Sequence, residues 1–224
     1  MIGAFRKSPL FAHMTDEDIR QCILCSGSEL VSYDKEEILF HQQDPPRKLY
    51  ILAEGSVAVC TDSISGKRHI LATFTQPGEL FGEVFLFLNK EEYDNYAQAV
   101  TIAKVLEMPK DFLSHGCGKN CGFHAKLIAN MLAILAQKAY YLNQKLQIMS
   151  GATLREKIIR LLLRHAAPDG TVNLGMNREE LADFLNVARP SLSRELMRMQ
   201  EEGLLRIDKR VICIPDKELL QTDL

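Results

Sequence analysis

From Asn186 to Gly203 the chain reads NVARPSLSRELMRMQEEG, and its polar residues are of types that recognise double-stranded DNA. Leu192, Leu196 and Met199 fall at helical spacing and define an inward face. The opposite face then presents Pro190 and Arg194, flanked by Ser191, Ser193 and Arg198, with Arg189 at the N-terminal tip. An arginine guanidinium is a planar fork that matches O6 and N7 of guanine, while short hydroxyls suit phosphates or base edges. The plain alternative is a set of solvated arginines on a helical domain.

A second set of residues could ligate metal. Cys22-x-x-Cys25 and Cys117-x-x-x-Cys121, with His124 three residues on, offer soft ligands for an iron–sulfur cluster or another metal, or thiols for a reversible redox switch. Against this, Cys22 and Cys25 sit three apart on a short helix whose apolar side needs small hydrophobic fillers. Six cysteines in 224 residues are too sparse for a disulfide scaffold. His13, His41, His69 and His115 are isolated, and no nucleophile with its base, phosphate loop or paired carboxylates stands at motif spacing. The sequence therefore predicts no enzyme. A metal enzyme built on the β-rich part would need a histidine cluster where only His41 and His69 occur.

The elements around the arginines form a recognisable unit. Asn177 is suited to cap a helix with Glu179 and Glu180 in its first turn and Leu181, Phe184 and Leu185 on its buried side. Asn186-Val187-Ala188 forms the break, because Asn tolerates positive φ. Pro190 fits the first turn of the second helix, which Gly203 closes. Residues 204–214 read as a hairpin turning at Asp208-Lys209, with Lys209 and Arg210 placed for backbone phosphates. The whole is a winged helix-turn-helix, preceded by a helix whose capping box is Thr153-Leu154-Arg155-Glu156. From Gly151 onward twelve basic residues balance twelve acidic ones, so one copy should hold DNA weakly and two copies are needed.

The joining element runs from Cys121 to Met149. Ile128, Leu132, Leu135, Ala139, Leu142, Leu146 and Met149 are spaced 4, 3, 4, 3, 4, 3, a heptad seam that predicts a homodimer interface. A second stripe, Leu127, Met131, Ile134 and Tyr141, faces the helix's own domain. Ser150-Gly151 follows as a hinge. Before this helix, short apolar or alternating runs between Glu29 and Met108, punctuated by Asp44-Pro45-Pro46, Glu54-Gly55, Ser65-Gly66 and Pro77-Gly78, predict an antiparallel β-roll of about eight strands. A short helix capped at Thr15 opens the chain. The net charge of -2 excludes a generally basic nucleic-acid coat protein. No run reaches the ~18 apolar residues of a membrane span, so the expected location is cytoplasmic, with no membrane partner.

On the order of these elements, on LYILAEGSVAV and PGELFGEVFLF in the roll, and on RPSLSREL in the recognition helix, the chain resembles the Crp/Fnr family of bacterial transcription regulators over nearly its whole length. The resemblance implies an α+β fold with a jelly-roll-like antiparallel sensor, a dimerisation helix and a C-terminal winged helix-turn-helix, here divided as residues 1–118, 119–150 and 151–224. It further implies a homodimer reading a palindromic promoter site under an effector, with RNA polymerase as a partner if the protein activates. In the cyclic-AMP branch, Gly-Glu, here Gly82-Glu83, is followed after about ten residues by an Arg-Ser pair that holds the phosphate. Here that segment is LNKEEYDNYAQAV, without arginine and with Glu91, Glu92 and Asp94 beside a single cation, Lys90. Burying a phosphate there costs several kcal/mol, roughly, so cyclic AMP is not the expected cofactor. The expected effector site comprises Gly82, Glu83, Tyr93, Asn95, Tyr96, Tyr140 and Tyr141, whose aromatic faces and phenol tips suit a planar or apolar small molecule. The alternatives are tyrosines that only fill the space, a redox or metal sensor using Cys22, Cys25, Cys117, Cys121 and His124, and a module that docks on protein rather than DNA.

Overall fold

The computed structural model describes residues 2–63, 66–88, 90–114, 121–209 and 211–222. The chain divides into two compact units, Met1–Ala136 and Gln137–Leu224, with the division inside one long helix.

The first unit opens with Ile2–Phe5 (α1), a 3₁₀ turn at Pro9–Phe11, and Asp16–Ser26 (α2). Thr15 starts α2 by accepting from the Asp18 N–H while Asp18 accepts from the Thr15 N–H, and Gly27 ends it at a φ of 65°. Among the described residues eight strands follow: Glu29–Tyr33 (β1), Ile38–Phe40 (β2), Lys48–Glu54 (β3), Val57–Asp62 (β4), Arg68–Phe74 (β5), Leu80–Phe81 (β6), Tyr96–Ala99 (β7) and Ala103–Pro109 (β8). They form two antiparallel sheets, ordered β1-β8-β3-β6 and β2-β7-β4-β5. The expected roll is present.

Strand β3 shows why two cores arise. Its side chains alternate by the pleat, so Tyr50 and Leu52 enter an aromatic core with Phe40, Phe81 and Tyr93, whereas Leu49, Ile51 and Ala53 enter another with Phe5, Leu10, Phe11 and Ile19. The apolar run from Ala99 to Met108 is not one strand. It breaks at Val100–Ile102, where the chain passes from its pairing with β4 in one sheet to its pairing with β3 in the other, and Gly55 makes room there: with φ at 83°, a Cβ would lie 2.2 Å from the Ile102 carbonyl oxygen. Two short helices, Glu83–Phe87 (α3) and Lys110–Ser114 (α4), complete the unit before the long helix Gly122–Met149 (α5).

Leu127, Met131 and Ile134 of α5 are buried in the core shared with the N-terminal helices. Between them, the Asn130 amide donates to the carbonyls of Leu10 at 2.9 Å and Ala12 at 2.8 Å, and Lys126 pairs with Asp18 at 3.3 Å. The fourth residue of that stripe, Tyr141, is exposed in the second unit.

The second unit contains Leu154–His165 (α6), Thr171–Asn173 (β9), Arg178–Phe184 (α7), Arg189–Glu201 (α8), Arg206–Asp208 (β10), Val211–Cys213 (β11) and Lys217–Gln221 (α9). The three strands form one antiparallel sheet, β10-β11-β9. Ile158, Ile159, Leu161 and Leu162 of α6 pack with Leu181 and Leu185, with Leu192, Leu196 and Met199 of α8, and with Ile148 from the end of α5. Gly151 is buried, and a Cβ there would stand 3.0 Å from the Glu156 Cβ and from the Lys157 nitrogen, so the turn into α6 uses its lack of a side chain for close approach.

Candidate nucleic-acid interface

Helix α7 is fixed at its start by a reciprocal cap. Asn177 Oδ1 accepts from the Glu179 and Glu180 N–H groups at 2.9 and 3.0 Å, and Glu180 accepts from the Asn177 N–H at 2.7 Å. Asn186 then takes a φ of 53°, and Val187 donates back to the Ala182 carbonyl at 3.0 Å, turning the chain into α8. Helix α8 begins with Arg189 and Pro190 after Ala188, which offers no side-chain cap. Leu192, Leu196 and Met199 are buried, so Arg189, Pro190 and Arg194 project outward and exposed, with Ser191 and Ser193 half-buried at the margins. Met197, also exposed, shares that outer face.

Charge is distributed unevenly over this helix. Arg155 of α6 binds Glu195 and Glu202, both at 2.7 Å, and this network raises the Arg155 pKa above its ordinary value, first through Glu202. Arg198 is turned aside to Glu202 at 3.0 Å. Arg194 and Arg189 carry no ion pair among the described residues.

One cationic residue escaped the sequence reading. Arg178, the first residue of α7, is half-buried, and burial alone lowers its pKa. Arg178, Arg189 and Lys209 border one cavity of about 350 Å³ with Met176, Leu181 and Ile212. An arginine at a helix start opposes the macrodipole, where Glu179 and Glu180 are at home, and that mismatch was the available signal. Lys209 reaches the cavity because it holds a φ of 54° in the β10–β11 turn. Arg210, expected beside it, lies outside the described residues.

The expected effector residues of the roll occupy several settings. Gly82 takes a φ of 82° ahead of α3, and Glu83 is buried. Tyr93 is only 2 % exposed, stacked on Phe40 at 4.0 Å between ring centres and set edge-on to Phe85 at 5.1 Å. Asn95 has a buried Oδ1 without a hydrogen-bond partner, and the Tyr96 hydroxyl donates to Asp62 at 3.1 Å. Tyr140 and Tyr141 are exposed in the second unit, where the Tyr140 hydroxyl meets Arg164 at 3.4 Å. Beside Tyr93 lies a cavity of about 330 Å³ bordered by Tyr33, Tyr50, Arg47, Lys48 and Glu107. Glu107, buried, accepts from Tyr33 and pairs with Lys48 at 2.5 Å. Burial raises the phenol pKa of Tyr33 and Tyr50 and pushes that of Tyr93 up to about 12, so all three are neutral near pH 7.

Of the expected metal ligands, Cys22 is buried and Cys25 half-buried in the core with the N-terminal helices, Cys121 is half-buried, and His124 stacks edge-on against Phe112 with a buried Nδ1 that lacks a hydrogen-bond partner. Cys117 lies outside the described residues, among which no group of three or more His, Cys, Asp or Glu is arranged to hold a metal. Along the α5 seam, Leu132, Leu142 and Leu146 are 58–69 % exposed, Ala139 is exposed, and Ile128, Leu135 and Met149 are half-buried.

Comparison with known proteins gives two family matches, the cyclic nucleotide-binding domain over residues 30–120 and the Crp-like helix-turn-helix domain over residues 156–222. Among curated relatives, the cyclic AMP receptor protein of Thermus thermophilus is 27 % identical over 216 residues, covering 96 % of this chain and 95 % of that protein. The regulatory protein HlyX of Actinobacillus pleuropneumoniae is 26 % identical, covering 80 % and 75 %. The crystal structure of the Thermus thermophilus catabolite activator protein superposes with a TM-score of 0.50 at 25 % identity, covering 96 % of this chain and 97 % of that one.

Proposed function

Because the chain belongs to the Crp/Fnr family of transcription regulators, whose members are not enzymes, we propose that it acts as a homodimer that reads a palindromic promoter site through α8 under the control of a small-molecule effector. One observation carries the DNA reading. The outward side of α8 presents Arg189, Pro190 and Arg194 free of acidic partners among the described residues, next to a cavity ringed by Arg178, Arg189 and Lys209. Three cations around one hollow suit a backbone phosphate, and the α8 arginines suit base edges. Ser191, Ser193 and Arg198 flank the same reading face, and Arg210 stays a proposed phosphate contact from the sequence alone. In a gel-shift assay on promoter duplexes selected by the protein itself, Arg194→Ala should weaken binding about 10- to 100-fold. Unchanged binding would remove α8 from the interface.

Dimerisation is supported by the leucines of α5. Leu132, Leu142 and Leu146 leave a helix side open to water that a twin helix would cover, and they follow the heptad repeat. Replacing Leu142 and Leu146 together with aspartate should give monomers in sedimentation. We further read the seam near these leucines as the coupling point, where effector state alters how two spines pack and swings the reading helices toward or away from the ~34 Å spacing of successive major grooves.

For the effector, the aromatic lining around Tyr93 and the absence of arginine between Leu88 and Val100 favour a planar or apolar molecule over cyclic AMP. Gly82, Glu83, Asn95, Tyr96, Tyr140 and Tyr141 remain the proposed contacts. Thermal-shift screening, with Tyr96→Ala and Tyr141→Ala as losses, tests this. The metal-sensing alternative depends on Cys117 joining Cys22, Cys25, Cys121 and His124, and metal analysis with an absorption spectrum of anaerobically purified protein decides it. No helix among the described residues is long and apolar enough to cross a membrane, and a cytoplasmic site of action beside RNA polymerase completes the proposal.

A further inference from the structure

The hollow beside Tyr93 is built on residues other than the expected effector set, with which it shares Tyr93 alone. One side of it is aromatic. Phe40 stacks on Tyr93 at 4.0 Å and tilts against Tyr50 at 5.3 Å between ring centres, and all three border the opening. Burial keeps the phenols of Tyr50 and Tyr93 protonated near pH 7, so these rings bring no charge of their own.

The charged groups of the hollow are unequally committed. Glu107 is engaged by the Tyr33 hydroxyl and the Lys48 ammonium, and Asp44 accepts from the His41 N–H at 2.7 Å. Arg47 is exposed, and its side chain has no hydrogen bond or ion pair among the described residues. Arg47 and Lys48 also border an adjoining hollow of about 430 Å³, where together with Lys110 they face a single carboxylate, Asp111. From the rings toward Arg47 the surroundings therefore change from balanced, with Arg47 and Lys48 against Asp44 and Glu107, to cationic.

That gradient selects a ligand with a flat apolar end and one negative charge. A carboxylate matches a guanidinium fork through two parallel N–H···O bonds. A phosphate monoester carries a charge of about −1.5 to −2, and its second charge would meet Asp44 and Glu107 unpaired. At about 330 Å³ the hollow stands at the lower end of the ~300–1,000 Å³ of ligand pockets, which suits one or two fused rings.

We propose that this hollow binds a small aromatic carboxylic acid, with its ring against Phe40, Tyr50 and Tyr93 and its carboxylate on Arg47. The proposal rests on the reading of the roll as an effector sensor. It gives that effector a chemical class and an anchoring residue outside the expected set.

The test is calorimetric titration of the full-length protein with benzoate, phenylacetate and naphthoate, each beside its neutral amide. The acids should bind, and the amides should bind about tenfold more weakly. Arg47→Gln, which breaks no side-chain contact among the described residues, should cost the acids about tenfold and leave the amides unchanged. Asp44→Asn keeps an oxygen for the His41 N–H and removes a repulsion, so it should tighten the acids. Absence of binding by all three acids, amides that bind as well as the acids, or an Arg47→Gln protein that binds them undiminished would overturn the site. Cyclic AMP binding more tightly than the acids would overturn the ligand class. Acids that bind through Arg47 yet leave affinity for the selected promoter duplexes unchanged would uphold the site and overturn the effector reading of the roll.

Discussion

Glu107 in the roll and Arg178 in the helix-turn-helix are both charged groups withdrawn from water, and their surroundings differ in one respect. Glu107 is 5 % exposed and saturated, with the Tyr33 hydroxyl on one oxygen and the Lys48 ammonium on the other. Arg178 is half-buried, its pKa depressed by burial with no opposing partner among the described residues, and it opens onto a cavity with two more cations. A buried charge whose partners lie within the chain holds the fold together. One whose partners are missing costs stability and marks a place where an outside anion completes the structure.

Substitutions can break that contrast. The largest effect is expected for Glu107→Ala, which should cost about 3 kcal/mol in urea denaturation by stranding the Tyr33 hydroxyl inside the roll and taking the partner from the half-exposed Lys48, with DNA affinity per folded molecule unchanged. Arg155→Ala should follow at about 1–2 kcal/mol, since Arg155 ties α6 to Glu195 and Glu202 of the α8 end but is partly open to water. Arg178→Gln should leave unfolding free energy within about 0.5 kcal/mol or raise it, while weakening DNA binding and lowering the slope of log affinity against log salt by about one. A loss of stability as large as that of Arg155→Ala would show that Arg178 is structural, and the contrast would fail. The smallest effect concerns Tyr93. Its phenol ionises near pH 10 in the unfolded chain and at about 12 in the folded one, so the folded chain keeps the proton longer, and stability present below pH 10 falls as pH rises toward 12. Tyr93→Phe should flatten that alkaline decline in melting temperature.

The same contrast separates what the sequence made legible. Periodicity carried the elements: the stripe Leu127, Met131 and Ile134 is buried against its own domain, Asn186 takes the positive φ assigned to it, and the β10–β11 hairpin turns at Lys209. Each depends on local spacing or on one residue's backbone freedom. Glu107 and Lys48 are 59 residues apart, Tyr33 and Glu107 are 74 apart, and neither pair leaves a local trace. Helix α3 was hidden inside the apolar run after Gly82, because five residues are too few to establish a helical period. Among the cysteines, local spacing suggested ligand pairs, whereas Cys22 lies in a core that forms only when the first residues meet α5.

That meeting has a consequence for how the chain folds. Asn130 reaches the carbonyls of Leu10 and Ala12 across 120 and 118 residues, and Leu127, Met131 and Ile134 close the core around Phe5, Leu10 and Phe11. On a ribosome, Phe5, Leu10 and Phe11 must therefore wait for synthesis of the long helix before their apolar side chains are covered. Contacts of such sequence separation are slow to form, and the exposed interval invites chaperone capture or aggregation. Asn130→Leu, which removes the amide while keeping an apolar side chain of similar size, should accordingly slow refolding of the first unit more than it slows the second.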